Sequence, residues 1–231
     1  MDFLKELLGR CIGKSAPIQK NLEKASVSNS MGKIEVVDLG LPSGVLWATE
    51  NLGISSVYPL GKYFAWGETE CKTSYGWDSY TLCKGTYNTL SKYCLDSKYG
   101  IVDGLFELDG KDDIATLTLG KEWHIPSKKN MEELLSYCSW KVEAQNGIYG
   151  WRVTGPNGKS IYLPAAGSAS GNRVAGIGEF GRYWTSTLHE EGNCSAYNLR
   201  FNQSTYELVG DTRFYGRIIR PVKNVDLLQV I

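Results

Sequence analysis

The sequence predicts an α+β domain, mostly short strands with one or two helices, spanning residues 34–222. Three observations carry that prediction. Apolar and polar residues alternate in short runs that break at Gly, Pro or Asn, the pattern of half-buried strands joined by turns. One segment, 127–138, instead spaces its apolar residues as a helix does, behind a serine suited to cap it. The chain also carries 26 Gly beside 14 Tyr and 7 Trp, which calls for many turns and firm aromatic packing and excludes a disordered chain. At 231 residues it can bury a sizeable core.

The N-terminus comes first. Phe3, Leu4, Leu7, Leu8, Cys11 and Ile12 fall at spacings of one, three and four, an amphipathic helical stripe over 3–12. A helix of that length is marginal alone and needs a partner surface. Residues 13–33 are polar and Ser-rich and form a connector, so 1–33 is a helix plus linker. The helix either folds back on its own chain or attaches it to a larger assembly. Asp2, Lys5, Glu6 and Arg10 interrupt the apolar run, so no secretion signal is expected. Leu8-Gly9-Arg10-Cys11 has the outline of a lipoprotein cleavage box, but the arginine before the cysteine argues against it. The expectation is a protein cytoplasmic as synthesised, its final location left open, with virion or cell-surface display by another route as one alternative and no membrane insertion.

From Ile34 the pattern is strand-like. IEVVDLGLPSGVLWAT alternates around a turn at Gly40–Gly44, and YFAWGETE (63–70) is a further short strand. Residues 71–110 show no period and are long loops of Tyr, Gly, Ser and Lys, of the kind packed by their own aromatics or kept for function. Ser127 then caps the helix, with half of a capping box, since Asn130 stands where Glu or Gln is usual. Next come three strands joined at Asn146-Gly147 and Pro156-Asn157-Gly158. VAGIGEFG (174–181) is a turn, RYWTST and AYNLRF are strands, GRIIRPV closes the domain, and 223–231 is a tail.

Chemistry-bearing residues are sparse. Lys plus Arg and Asp plus Glu both number 25, so no footprint for nucleic acid or an anionic membrane is present. Six cysteines contain no Cys-x-x-Cys pair, which disfavours zinc and fits small buried thiols. His124 and His189 lie far apart, and LHEEGNC around His189 reads as a solvated acidic turn before it reads as a metal site. Glu132 and Glu133 are expected on the wet side of their helix. Asp109, Asp112 and Asp113 cluster around a glycine, a calcium candidate weighed against a charged turn because the D-x-D-x-D-G spacing is missing. Asn202-Gln203-Ser204 has N-glycosylation spacing alone. In AYNLRFN, Tyr197, Leu199 and Phe201 are expected inward and Asn198, Arg200 and Asn202 outward.

VDLGLPSGVLWAT, YFAWGETE, DDIAT with GKEWHIPSKKNMEELL, VTGPNGKSIYLPAAG, GRYWTST and GRIIRPV follow one another in order. In that order they resemble the major paralogous domain of Fibrobacter and Bacteroides-type bacteria, over residues 34–222. The resemblance implies a C-type-lectin-like single domain, the fold shared with formylglycine-generating enzymes and with the variable proteins of diversity-generating retroelements. The family has Arg after the Trp of its W-R-x-P-T segment; here Trp123 is followed by His124. Formylglycine-generating enzymes use two nearby cysteines late in the fold, where this sequence offers Cys194 alone, and the acid-Pro-Asn and Trp-Asn-Asp motifs of calcium-dependent lectins are absent. In the variable proteins the diversified residues lie in the last stretch, here 188–217. Its outward set is His189, Asn193, Asn198, Arg200, Asn202, Tyr206, Asp211, Arg213 and Tyr215. Tyr, Asn and Arg suit a recognition surface, though any half-exposed sheet also shows polar residues to water.

The function this implies is a non-enzymatic recognition module for a protein or glycan ligand, cofactor-free, with the N-terminal helix as its attachment to an assembly. The alternatives are an enzyme of the sulfatase-modifying type or a purely structural scaffold.

Overall fold

The computed structural model describes residues 34–225; the expected helix at 3–12, its connector and the end of the tail lie outside the described residues. Its regular structure is mostly strand, with two α-helices and one short 3-10 turn at Trp77–Ser79, an α+β domain with few helices.

β1 (Val36–Asp38) and β2 (Leu46–Ala48) form the expected hairpin, Val37 opposite Trp47. β2 also pairs with β12 (Val222–Lys223), which pairs with β3 (Trp123–His124), so the start and the close of the domain share one sheet. Pairing continues past residue 222, since the Asn224 N–H donates to the Glu122 carbonyl at 2.8 Å.

α1 (Ile114–Leu119) starts at Asp113, whose Oδ1 accepts from the Ala115 and Thr116 N–H groups. α2 (Lys128–Tyr137) starts at Ser127 as expected. Its capping box is whole: Ser127 Oγ accepts from the Asn130 N–H at 3.2 Å, and Asn130 Oδ1 accepts from the Ser127 N–H at 3.0 Å. The shorter amide reaches back as a glutamine would. Glu133 corrects the expectation of a wet pair. Glu132 is exposed, but Glu133 is buried and accepts from Ser43 Oγ at 2.6 Å and Ser43 N at 3.2 Å, pinning α2 to the first hairpin.

β4 (Ser139–Gln145), β5 (Ile148–Thr154) and β6 (Ser160–Pro164) make a meander. Asn146 and Gly147 both take positive φ, 51° and 77°, the geometry that matches a tight turn to strand twist. The remaining strands, β7 (Ala166–Ser170), β8 (Arg173–Ile177), β9 (Gly181–Leu188), β10 (Ser195–Phe201) and β11 (Tyr206–Thr212), form a sheet in the order β11-β10-β9-β7-β8. Two expectations change. Residues 174–177 belong to strand β8, and only 178–180 are turn. Residues 63–70 form no strand but an isolated bridge between Phe64 and Arg217, because Gly67 turns the chain away at φ 74°.

The β9–β10–β11 strands lie between two cores. Tyr183, Leu199 and Phe201 face the larger one, with Met131 and Leu134 of α2. Trp184 and Ala196, on the opposite face, meet Trp66, Tyr93, Phe64 and Ile219. The long loops are tied to this frame by aromatic polar ends. Trp66 Nε1 donates to the Thr185 carbonyl (2.8 Å), Trp184 Nε1 to Phe64 (2.9 Å), and Tyr80 Oη to Trp66 (2.7 Å). Each ring fills the core while its polar edge satisfies a loop backbone group.

Candidate functional site

Antiparallel register places paired residues on one face. Arg182, Arg200 and Glu207 stand in a row across β9, β10 and β11, and Asp211 follows on β11. This row emerges from beneath the second core: Trp184 and Asn198, next along the same face, are covered, while Arg200 and Glu207 keep 43% and 49% of their side chains exposed. The closing segment borders it. Arg217 Nη2 donates to Asp211 Oδ2 at 2.5 Å and Nη1 to Ser168 Oγ at 2.8 Å, and its guanidinium lies 4.9 Å from the Tyr215 ring.

The charges do not balance. Arg182 and Arg217 share Asp211, at 3.5 and 2.5 Å, and Arg200 Nε and Nη2 both bond Glu207 Oε1. Three guanidiniums therefore meet two carboxylates. Arg182 Nε and Nη1 and Arg217 Nε are buried without a hydrogen bond among the described residues. Burial lowers Arg217 to about 10 against the pull of Asp211, and lowers Arg182 in the same direction. Arg217 remains a cation at neutral pH, and the complement of such a cluster is an oxyanion, which a guanidinium fork binds through paired charge-assisted bonds.

Of the sequence-predicted set, the fold gathers Arg200, Asp211 and Tyr215 here. It buries two others completely: Asn198 and Arg213 are both 0% exposed, correcting their outward assignment. Asn198 donates to the Val209 carbonyl at 3.0 Å beneath the second core. Arg213 Nη1 donates to the Tyr93 carbonyl at 2.8 Å, with its guanidinium over Trp66 and Tyr80. The remaining four stand elsewhere. Asn193 Oδ1 accepts from the Leu95 N–H, and Asn202 Oδ1 closes the β10–β11 turn by accepting from Ser204 and Thr205. Tyr206 stacks on Trp140 at 4.4 Å, and His189 packs at 4.6 Å on Tyr197. Arg182, Glu207 and Arg217 were missed as site residues. Arg182 and Arg217 open the GRYWTST and GRIIRPV segments read as scaffold, and cross-strand register alone could have joined them to Arg200.

Burial is the largest influence on Cys194 and pushes its thiol up, away from a reactive thiolate, against the opposing pull of the Arg213 cation. The Cys194 Sγ donates to the Tyr87 carbonyl at 3.4 Å. Burial lowers the pKa of the other histidine, His124.

The three aspartates do not converge. Lys92 Nζ donates to Asp109 Oδ2 at 2.8 Å and to Asp112 Oδ2, which also accepts from Tyr93 Oη at 2.5 Å. Asp113 turns away, its Oδ2 accepting from the Ile125 N–H at 2.8 Å while Oδ1 caps α1. An ammonium thus occupies the place a calcium ion would need. Millimolar calcium is expected to leave the unfolding temperature unchanged; a rise that disappears in Asp109→Asn would establish the cation site instead.

A scan against protein-family models gave no match, and searches of curated proteins and of solved structures gave none either. Among the described residues no helix is long and apolar enough to cross a membrane, and no group of three or more His, Cys, Asp or Glu is placed to hold a metal ion.

Proposed function

We propose that this protein is a non-enzymatic recognition module with a C-type-lectin-like scaffold, and that its outer face around Arg182, Arg200, Glu207, Asp211 and Tyr215 binds a protein or glycan through an acidic group. One observation carries the reading: at the end of a rigid sheet the half-exposed Arg200 and the partly exposed Arg182 stand beside two carboxylates, one of which, Asp211, is already shared with the buried guanidinium of Arg217. Strand pairing fixes the backbone beneath these side chains, so little ordering is required on binding. The ordered motifs of the sequence support the lectin-like assignment and the kinship with retroelement variable proteins, with the N-terminal segment as attachment to a cell surface or virion.

The test is an array of glycans and extracellular protein domains, read with the wild type and with the double variant Arg200→Ala/Tyr215→Ala. Hits are expected to carry carboxylate, sulfate or phosphate groups, to weaken with salt, and to lose affinity about tenfold or more in the variant, about 1.4 kcal/mol. Hits that are neutral, or that bind the variant equally, remove this face as the site. At gene level, adenine-directed differences are expected within codons 188–217 beside a near-copy template, sparing Asn198 and Arg213.

A further inference from the structure

A cavity of about 370 Å³ is walled by Pro59, Leu60, Tyr75, Ala169, Val174 and Ile177. The β7–β8 hairpin forms one wall and the loops at 57–61 and 71–75 form the others. Its volume falls in the range of pockets that take a ligand or several apolar side chains.

The chain itself supplies an occupant, and the topology says which end. The Glu35 carbonyl accepts from the Thr49 N–H at 3.0 Å, and two residues further on Asn51 Nδ2 donates to the carbonyl of Leu60, a cavity wall residue, at 2.8 Å. The described chain therefore begins next to the loop that shapes the cavity. It ends toward the other end of β2: β12 runs antiparallel to β2, Lys223 faces Leu46, and Asn224 bonds Glu122. The N-terminal side carries an apolar stripe within reach of the cavity mouth.

We propose that residues 3–12 seat their stripe of Phe3, Leu4, Leu7, Leu8, Cys11 and Ile12 in this cavity, within the same chain. The 21 residues of 13–33 would reach ~25 Å as a polar coil, enough to bring the stripe back from Ile34. A ten-residue helix is ~15 Å long, short enough to lie along the cavity mouth. Burial there supplies the partner surface that so short a helix requires. The polar side is complementary too, since the exposed Arg173 at the rim suits Glu6.

Two cysteines make this testable without engineering: Cys11 lies on the stripe and Cys71 lines the cavity. The full chain is oxidised mildly with oxidised glutathione at low concentration and its disulfides are mapped by mass spectrometry. A Cys11–Cys71 link within the monomer is expected, absent from the full-length Leu7→Asp/Leu8→Asp variant. Hydrogen exchange is the second arm. Amides of 57–62 and 169–177 are expected to exchange at least tenfold faster in that variant and at the wild-type rate in Leu7→Met/Leu8→Met. A Cys11–Cys71 link between two chains overturns the proposal in favour of exchange between copies. Equal exchange in the wild type and the aspartate variant overturns it outright, whatever the disulfide pattern.

Discussion

Arg220→Ala is expected to lower the unfolding free energy by about 3–5 kcal/mol, because several buried acceptors lose their donor together. Arg220 is 1% exposed and has no carboxylate among its hydrogen-bond partners. Its Nε donates to Asn51 Oδ1 at 2.8 Å, Nη1 to the Ala48 and Thr49 carbonyls at 3.1 and 2.9 Å, and Nη2 to the Tyr162 carbonyl at 2.9 Å. Burial lowers the guanidinium to about 10, which still leaves it charged at neutral pH. One side chain thus joins β2, β6 and the loop held by Asn51. Truncation leaves four acceptors without their donor in a dry interior, each costing about 1–3 kcal/mol if nothing replaces it, with water entry into the space reducing the sum. Methionine does not rescue this as it can for a side-chain ion pair, because backbone carbonyls cannot be removed along with the arginine. Urea unfolding measures it: the midpoint should fall with the slope unchanged. An Arg220→Met protein as stable as the wild type would show the carbonyls to be satisfied by something else.

What could be read from the sequence was local. Asn146-Gly147 announces a tight turn because few other pairs tolerate positive φ at both positions. Ser127 announces a helix start because its hydroxyl meets an amide three residues on. Strand alternation told which residues share a face, and Leu199 and Phe201 are buried accordingly. It could not tell which of the two faces stays wet. Both faces of β10 are covered over part of their length, the second by Trp66 and Tyr93 from loops whose sequence has no period. A register shift between Ala196 and Asn198 further disturbs the simple alternation. Glu133 escaped for the same reason, since its partner Ser43 lies 90 residues away. The charged face was half legible. Arg200, Asp211 and Arg217 stood in the interval singled out, although Arg217 was not among its outward set; Arg182 lies outside it and joins them only through pairing across strands.

Arg213→Ala is expected to destabilise the protein by about 3 kcal/mol, the scale of a buried polar group removed from a packed network. Arg200→Ala, by contrast, should change stability by less than about 1 kcal/mol, as exposed ion pairs do. Both arginines lie in the interval 188–217, so the contrast separates recognition from support. Arg213 holds the long loop to the closing segment. Its side chain bonds the Tyr93 carbonyl, its N–H donates to the Cys194 carbonyl at 3.0 Å, and its own carbonyl accepts from Trp66 at 2.9 Å. The guanidinium lies 5.4 and 5.5 Å from the Trp66 and Tyr80 rings, so lysine, lacking the planar fork and its stacking, should recover little. Urea midpoints of the two variants, measured beside their affinity for an array hit, give the discriminating pattern. Arg200→Ala should lose affinity at nearly full stability, while Arg213→Ala should lose stability yet keep wild-type affinity per folded molecule. If Arg213→Ala is as stable as the wild type, the loops it joins are held elsewhere, and positions beneath the face are free to vary as well as those on it.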